Sequence, residues 1–180
     1  KRIDIDYLDI FYTHRFDPLC EVEVVADNLK FLHDLGLFNY VGISSYPKDK
    51  LEHLVNLLNE RKVPIACLQY NLSLISLDNY LTCKECFDKW EINTIAFSPL
   101  GQGILTDAFF NKKKTVKSRI NEEKTTVTKI TNQMKESLDY IMDISKKNKI
   151  SIELIAMVWL LSKDFISSTA YGPRDHTQIF

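Results

Sequence analysis

The sequence predicts an α/β fold built from serial strand–helix units, and three observations carry that prediction. Short apolar runs rich in β-branched and aromatic residues alternate with amphipathic stretches about five times along the 180 residues. No internal repeat, low-complexity linker or shift in composition interrupts the alternation, so residues 1–180 read as a single domain. Residues able to do chemistry gather at the ends of the predicted strands: His14, Ser44 and Ser45, Gln69 with Asn71, Phe97 with Ser98, and Gly172 with Arg174. Right-handed crossovers of this kind give either an open doubly wound sheet or a closed (β/α)8 barrel. In both, the ligand site lies at the C-terminal ends of the strands.

Tyr7 to Thr13 (YLDIFYT) is a near-continuous apolar run, the composition of a strand buried on both faces. The two-residue period puts Leu8, Ile10, Tyr12 and the closing His14 on one face, with Tyr7, Asp9 and Phe11 on the other. Cys20 to Leu37 sets Val24, Leu29, Leu32 and Leu35 among charged residues, an amphipathic helix with Gly36 near its C-terminal end. Phe38 to Ser45 is a second strand ending in hydroxyls. Tyr46-Pro47 breaks the chain before a helix from Asp49 to Arg61 around Leu51, Leu54, Val55, Leu57 and Leu58. A third strand spans Ile65 to Tyr70, and a helix follows from Leu77 or Asp78 to Trp90.

Ile92 to Phe97 is a fourth strand that runs straight into Ser98-Pro99-Leu100-Gly101-Gln102-Gly103. The two glycines permit a sharp turn in which backbone N–H groups and the Ser98 hydroxyl can cradle an anion. Lys112 to Lys124 is polar and irregular, long enough for a functional loop or lid, although its lysine run is most simply a solvated face. Val127 to Lys146 reads as a helix around Ile130, Met134, Leu138, Ile141 and Ile144. Ser151 caps a last helix with Glu153 in its first turn, and Phe165 to Ala170 is the fifth strand.

A net charge of -1 leaves no positive excess to hold a polyanion, which argues against nucleic acid as a partner. No apolar run approaches the ~20 residues that span a bilayer, and no signal-peptide pattern is present, so no membrane partner and a cytoplasmic location are expected. Four cysteines are too few and too scattered for a disulfide framework. Cys83 and Cys86 form a CxxC inside a predicted helix with no second pair, and no metal site is expected there. The chain opens on Lys1-Arg2-Ile3-Asp4 without a methionine and enters a strand within a few residues, so it reads as a fragment.

With those residues in place, the chain resembles the aldo-keto reductases, a family of NADP-dependent (β/α)8 barrels, over nearly its whole length. RIDIDYLDIFYTHRFD is similar to the family's fourth strand, VGISSY to the fifth, ACLQYNL to the sixth, AFSPLGQGILT to the seventh and STAYGPRDHTQ to the eighth. The resemblance implies a partial TIM barrel of about five βα units, the C-terminal portion of the barrel.

It also implies roles. His14 is the catalytic histidine beside the substrate carbonyl. Ser44 and Gln69 hold the nicotinamide carboxamide, an amide being able both to give and to take a hydrogen bond. Ser45 stands where the family commonly has asparagine. Phe97 replaces the usual tyrosine as the platform under the nicotinamide ring. Ser98, Leu100 and Gly101 form the pyrophosphate-binding turn, followed by Gly172 and by Arg174 near the 2′-phosphate, with Gln178 on the adenine side. The implied cofactor is NADP(H), and the implied substrate of the intact protein is a small aldehyde or ketone. The family's aspartate, general-acid tyrosine and lysine belong to segments with no match here. The fragment alone is therefore expected to be inactive, whether or not it binds cofactor, and to need its N-terminal part or another chain. The alternative is a non-catalytic nucleotide-binding or regulatory subunit with the same fold.

Overall fold

The computed structural model describes residues 6–76, 78–110 and 132–173. The chain runs β1 (Leu8–Thr13), α1 (Val22–Asp34), β2 (Phe38–Ser44), α2 (Lys48–Glu60), β3 (Ile65–Asn71), α3 (Asp78–Trp90), β4 (Thr94–Phe97), a 3-10 turn (Gly101–Gly103), α4 (Asp107–Phe110), α5 (Asn132–Asn148), α6 (Ile152–Leu161) and β5 (Ile166–Ala170). The strands form one sheet in the order β1-β2-β3-β4-β5, with β1 parallel to β2 and β2 parallel to β3. A doubly wound sheet reverses its strand order at a switch point, and this sheet does not. Sequential order with helices between successive strands is that of the βα units of a TIM barrel.

The residues pack as two compact units, one within 1–70 and 81–95, the other within 71–80 and 96–180. In the first, Val41, Ile43, Leu54, Val55, Leu58 and Leu68 are fully buried. α1 buries Val22, Ala26 and Leu29, a stripe at i, i+4 and i+7, whereas Val24 and Leu35 from the stripe read in the sequence are exposed. The helix begins two residues later than the sequence pattern had it, and packing selects Val22, Ala26 and Leu29 as its inner face. Gly36 ends the helix at φ 72, with its N–H on the His33 carbonyl and the Leu37 N–H on that of Leu32. Arg61, just past α2, bonds Asp27 through both Nε (2.8 Å) and Nη2 (2.7 Å), and His53 meets Glu23 at 2.6 Å, so an ion pair and a hydrogen bond tie this helix to α1. β1 is less buried than its composition suggests. None of its six residues is fully buried, because it stands at one end of the strand order.

In the second unit the core joins Ile104, Leu105, Leu138, Ile141, Ile152 and Ala156. Two helices that open here cap each other. The Asp107 carboxylate accepts the Ile152 N–H at the start of α6, and the Glu153 carboxylate accepts the Asp107 N–H at the start of α4. Each bond satisfies an otherwise orphan helix-end donor, worth about 1 kcal/mol. The Ser151 hydroxyl caps α6 by accepting the Leu154 N–H, as its sequence position indicates. α5 begins at Asn132, and the first part of the helix read from Val127, like the polar segment Lys112 to Lys124, falls outside the described residues.

Candidate functional site

The register of the first three strands builds the site in the first unit. Tyr12 pairs with Gly42, and Gly42 with Cys67. Because Gly42 has no side chain, the Tyr12 ring lies across it, and the Tyr12 hydroxyl meets the Cys67 sulfur at 2.9 Å on the next strand but one. This contact fixes which face of the sheet is which. Two residues further along β2 and β3, on the same face, come Ser44 and Gln69, directly paired to each other, while His14 is the exposed residue just past the end of β1. The structure therefore brings Ser44 and Gln69 to adjacent strand ends above a Tyr12–Gly42–Cys67 floor, with His14 following the neighbouring strand. Burial is the main cause that raises the Tyr12 hydroxyl well above the ordinary tyrosine range, and it also raises the Cys67 thiol, so both stay neutral.

Ser44 is almost completely buried, and its hydroxyl lies 3.3 Å from that of Ser45. Ser45 takes a left-handed conformation, φ 57, and its N–H bonds the Gln69 carbonyl at 3.2 Å. The following residue is locked from β3. The Tyr70 hydroxyl donates to the Tyr46 carbonyl at 2.6 Å and accepts the Tyr46 N–H at 3.1 Å, so one side chain satisfies both backbone groups of a buried turn residue. Sequence reasoning passed over Tyr70. Its position, one residue after Gln69 and so on the opposite face, was legible, but its partner was not.

The second unit holds the glycine turn. Ser98, Gly101 and Gln102 have φ of 54, 54 and 59, and Gly103 has φ 101, so two non-glycine residues share the left-handed conformation expected of the glycines. The Gly101 N–H bonds the Ser98 carbonyl at 2.9 Å and the Gly103 N–H that of Leu100 at 3.0 Å, so the turn's own carbonyls take up these donors. Gly101 also permits a close approach: a Cβ there would stand 2.5 Å from Ile75 Cδ1. Ile75 belongs to a tight loop in which Ser73 and Ser76 bridge each other, their hydroxyls 3.0 Å apart. Phe97 is half-buried at the end of β4, and its carbonyl accepts the Leu72 N–H at 3.3 Å. Gly172 is exposed after β5, while Arg174 and Gln178 lie outside the described residues.

Each unit thus carries part of the predicted set, His14, Ser44 and Gln69 in the first and the glycine turn in the second. Residues 1–179 match the sequence profile of the aldo/keto reductase family. The chain belongs to that family. It is 32% identical to L-glyceraldehyde 3-phosphate reductase of Escherichia coli K12 over 99% of its own length and 53% of the relative's. It is 29% identical to the chloroplastic pyridoxal reductase of Arabidopsis thaliana, covering 90% of this chain and 44% of that one. It is also 24% identical to the NADP(+) aldo-keto reductase yakc of Schizosaccharomyces pombe, over 91% and 48%. The chain spans about half the length of the curated relatives it matches.

All four cysteines are free; Cys67, Cys83 and Cys86 are buried and Cys20 is half-buried. Burial pushes the Cys83 and Cys86 thiols up to about 12, which makes the CxxC a pair of inert core residues. No helix among the described residues is long and apolar enough to cross a membrane.

Ser45 keeps a left-handed backbone, and asparagine is the residue that tolerates that conformation best after glycine. Ser45→Asn is accordingly expected to stabilise the fold, by up to about 1 kcal/mol. Urea denaturation of the two forms measures it, and a lower midpoint for the variant would contradict it.

Proposed function

We propose that the intact protein transfers hydride from NADPH to a small aldehyde or ketone, and that these 180 residues supply its nicotinamide-binding serine and glutamine, its histidine and its pyrophosphate turn. The observation that carries this reading is the pairing of Ser44 with Gln69 at the ends of β2 and β3, beside the strand that His14 follows. The donors and acceptors present fit the cofactor. A serine hydroxyl and a side-chain amide on neighbouring strands offer a carboxamide both hydrogen-bonding senses. NADPH, when bound, supplies the hydride. His14 at the strand end would donate to the carbonyl oxygen as negative charge gathers on it, and the half-buried Phe97 ring would offer a stacking face.

Two relatives are named for aldehydes, glyceraldehyde 3-phosphate and pyridoxal, and a third for NADP(+), which supports the substrate class and the cofactor. No tyrosine here matches the family's general acid, so that proton would come from residues outside these 180 or from another chain, and these residues alone are inactive. A cytoplasmic setting suits four free thiols.

The test is a titration of the chain with NADPH, followed by nucleotide fluorescence, beside an assay of NADPH oxidation with glyceraldehyde and pyridoxal. Gln69→Ala is expected to weaken binding roughly tenfold or more, the cost of an unpaired amide. Equal binding by the variant would remove Gln69 from the site. Turnover at enzyme-like rates by these residues alone would refute the assignment of the proton donor elsewhere.

A further inference from the structure

Past the end of β1 lies a cleft of which the reductase reading uses only the bordering His14. About 350 Å³ opens between the β1–α1 loop, from Thr13 to Cys20, and the first turn of α1. That volume lies at the small end of the ~300–1,000 Å³ range of ligand pockets. Its floor is apolar. Val22 and Val25 of α1 line it with Phe16 and Tyr46, whose rings meet edge-on at 5.5 Å. Val22 and Tyr46 are almost fully buried, and burial raises the Tyr46 hydroxyl above its ordinary range, so this wall brings no charge.

The mouth is different. Arg15 lines the cleft, is exposed, and makes no hydrogen bond or ion pair among the described residues. Asp17 also lines the cleft, but its Oδ1 accepts the Leu19 N–H at 2.9 Å and it forms no ion pair with Arg15. An exposed guanidinium beside an aromatic and aliphatic floor matches a small ligand with an apolar body and one carboxylate, which the planar fork can grip with two parallel bonds. We propose that this cleft binds a small apolar carboxylate, with Arg15 as its anion anchor and Phe16, Val22, Val25 and Tyr46 as its seat. His14 borders the same cleft from the end of β1, so the ligand would lie directly behind the candidate catalytic histidine.

A thiol inside the cleft reports on occupancy. Cys20 lines it and is half-buried, whereas Cys67, Cys83 and Cys86 are buried with thiols held neutral, so iodoacetamide modifies Cys20 first. Mass spectrometry then follows the Cys20 rate in sodium benzoate, in benzyl alcohol, in phenethylamine and in sodium chloride of matched ionic strength. Benzoate is expected to slow the reaction at least threefold with saturation, the other three to leave it near its starting rate, and exposed-site Arg15→Gln to abolish the benzoate effect with the circular dichroism spectrum unchanged. Cys20 modified equally fast with and without benzoate overturns the site. Protection by all three aromatic compounds alike, or protection that survives in Arg15→Gln, overturns the carboxylate class. Since the readout needs neither NADPH nor turnover, the site stands or falls apart from the reductase reading.

Discussion

Gly101→Ala is expected to lower the stability of the chain by about 2–4 kcal/mol, the sum of a left-handed residue gaining a Cβ and of that Cβ meeting a packed side chain. Both penalties come from the same place. Gly101 has φ 54, and the new methyl carbon would lie 2.5 Å from Ile75 Cδ1 and 2.9 Å from Cγ1, with Ser73 Oγ at 3.7 Å behind them. Ile75 cannot swing away freely, because its loop is pinned by the Ser73–Ser76 bridge and by the Ser76 N–H on the Ser73 carbonyl. Adding Ile75→Ala should relieve the clash but not the backbone strain, so the double variant should recover part of the loss. Urea denaturation of the three forms decides the matter. A single variant within about 0.5 kcal/mol of the parent would show that the turn relaxes at no cost, as ordinary surface positions do. The same substitution is expected to weaken NADPH binding if the turn holds its pyrophosphate.

Gly42→Ala should be comparably damaging for a different reason. Its φ is ordinary, so no strain arises from the backbone; the obstacle is the Tyr12 ring, whose Cε1, Cδ1 and Cζ atoms would lie 2.3–2.6 Å from the added carbon. The ring must move off β2, which also breaks its contact with Cys67. Overpacking of this kind costs about 1–3 kcal/mol and the lost hydrogen bond about 1 more. Tyr12→Phe, which keeps the ring and drops the hydroxyl, should cost only the smaller part. In a double-mutant cycle Gly42→Ala with Tyr12→Ala should fall well short of the sum of the singles, since the clash exists only while both side chains do. Strict additivity would mean that the ring does not rest on Gly42.

Much of this was legible along the chain. The strand and helix order follows from the switching of apolar period between 2 and 3.6, and Gly36 and Ser151 mark helix ends by chemistry that acts within a few residues. Ser44 and Gln69 could be singled out because hydroxyls and amides closing apolar runs are unusual. What escaped the sequence depends on register or on distant partners. Tyr12 reaching Cys67 over Gly42, Tyr70 holding both backbone groups of Tyr46, Ile75 seated on Gly101 and the exchange of caps between Asp107 and Glu153 each join residues far apart in the chain. The buried stripe of α1 was misread for a related reason. Val24 and Leu35 fit a helical period, but only packing against neighbours selects Val22, Ala26 and Leu29 as the inner face.

The buried hydroxyls and thiols of the first unit leave the protein vulnerable to alkali. Tyr12 and Tyr70 are raised above the ordinary tyrosine range, chiefly by burial, and Cys83 and Cys86 are pushed to about 12 from an ordinary value near 9. An unfolded chain gives up these protons sooner than the folded one. Stability they contribute is therefore whole below about pH 9 and drains away as the pH climbs toward 12. Tyrosinate absorbance from Tyr70 should rise together with the loss of near-ultraviolet circular dichroism, because its proton cannot leave while its hydroxyl still clasps Tyr46. The side chain that pins the turn after Ser44 and Ser45 thus doubles as an optical gauge of whether that turn is intact.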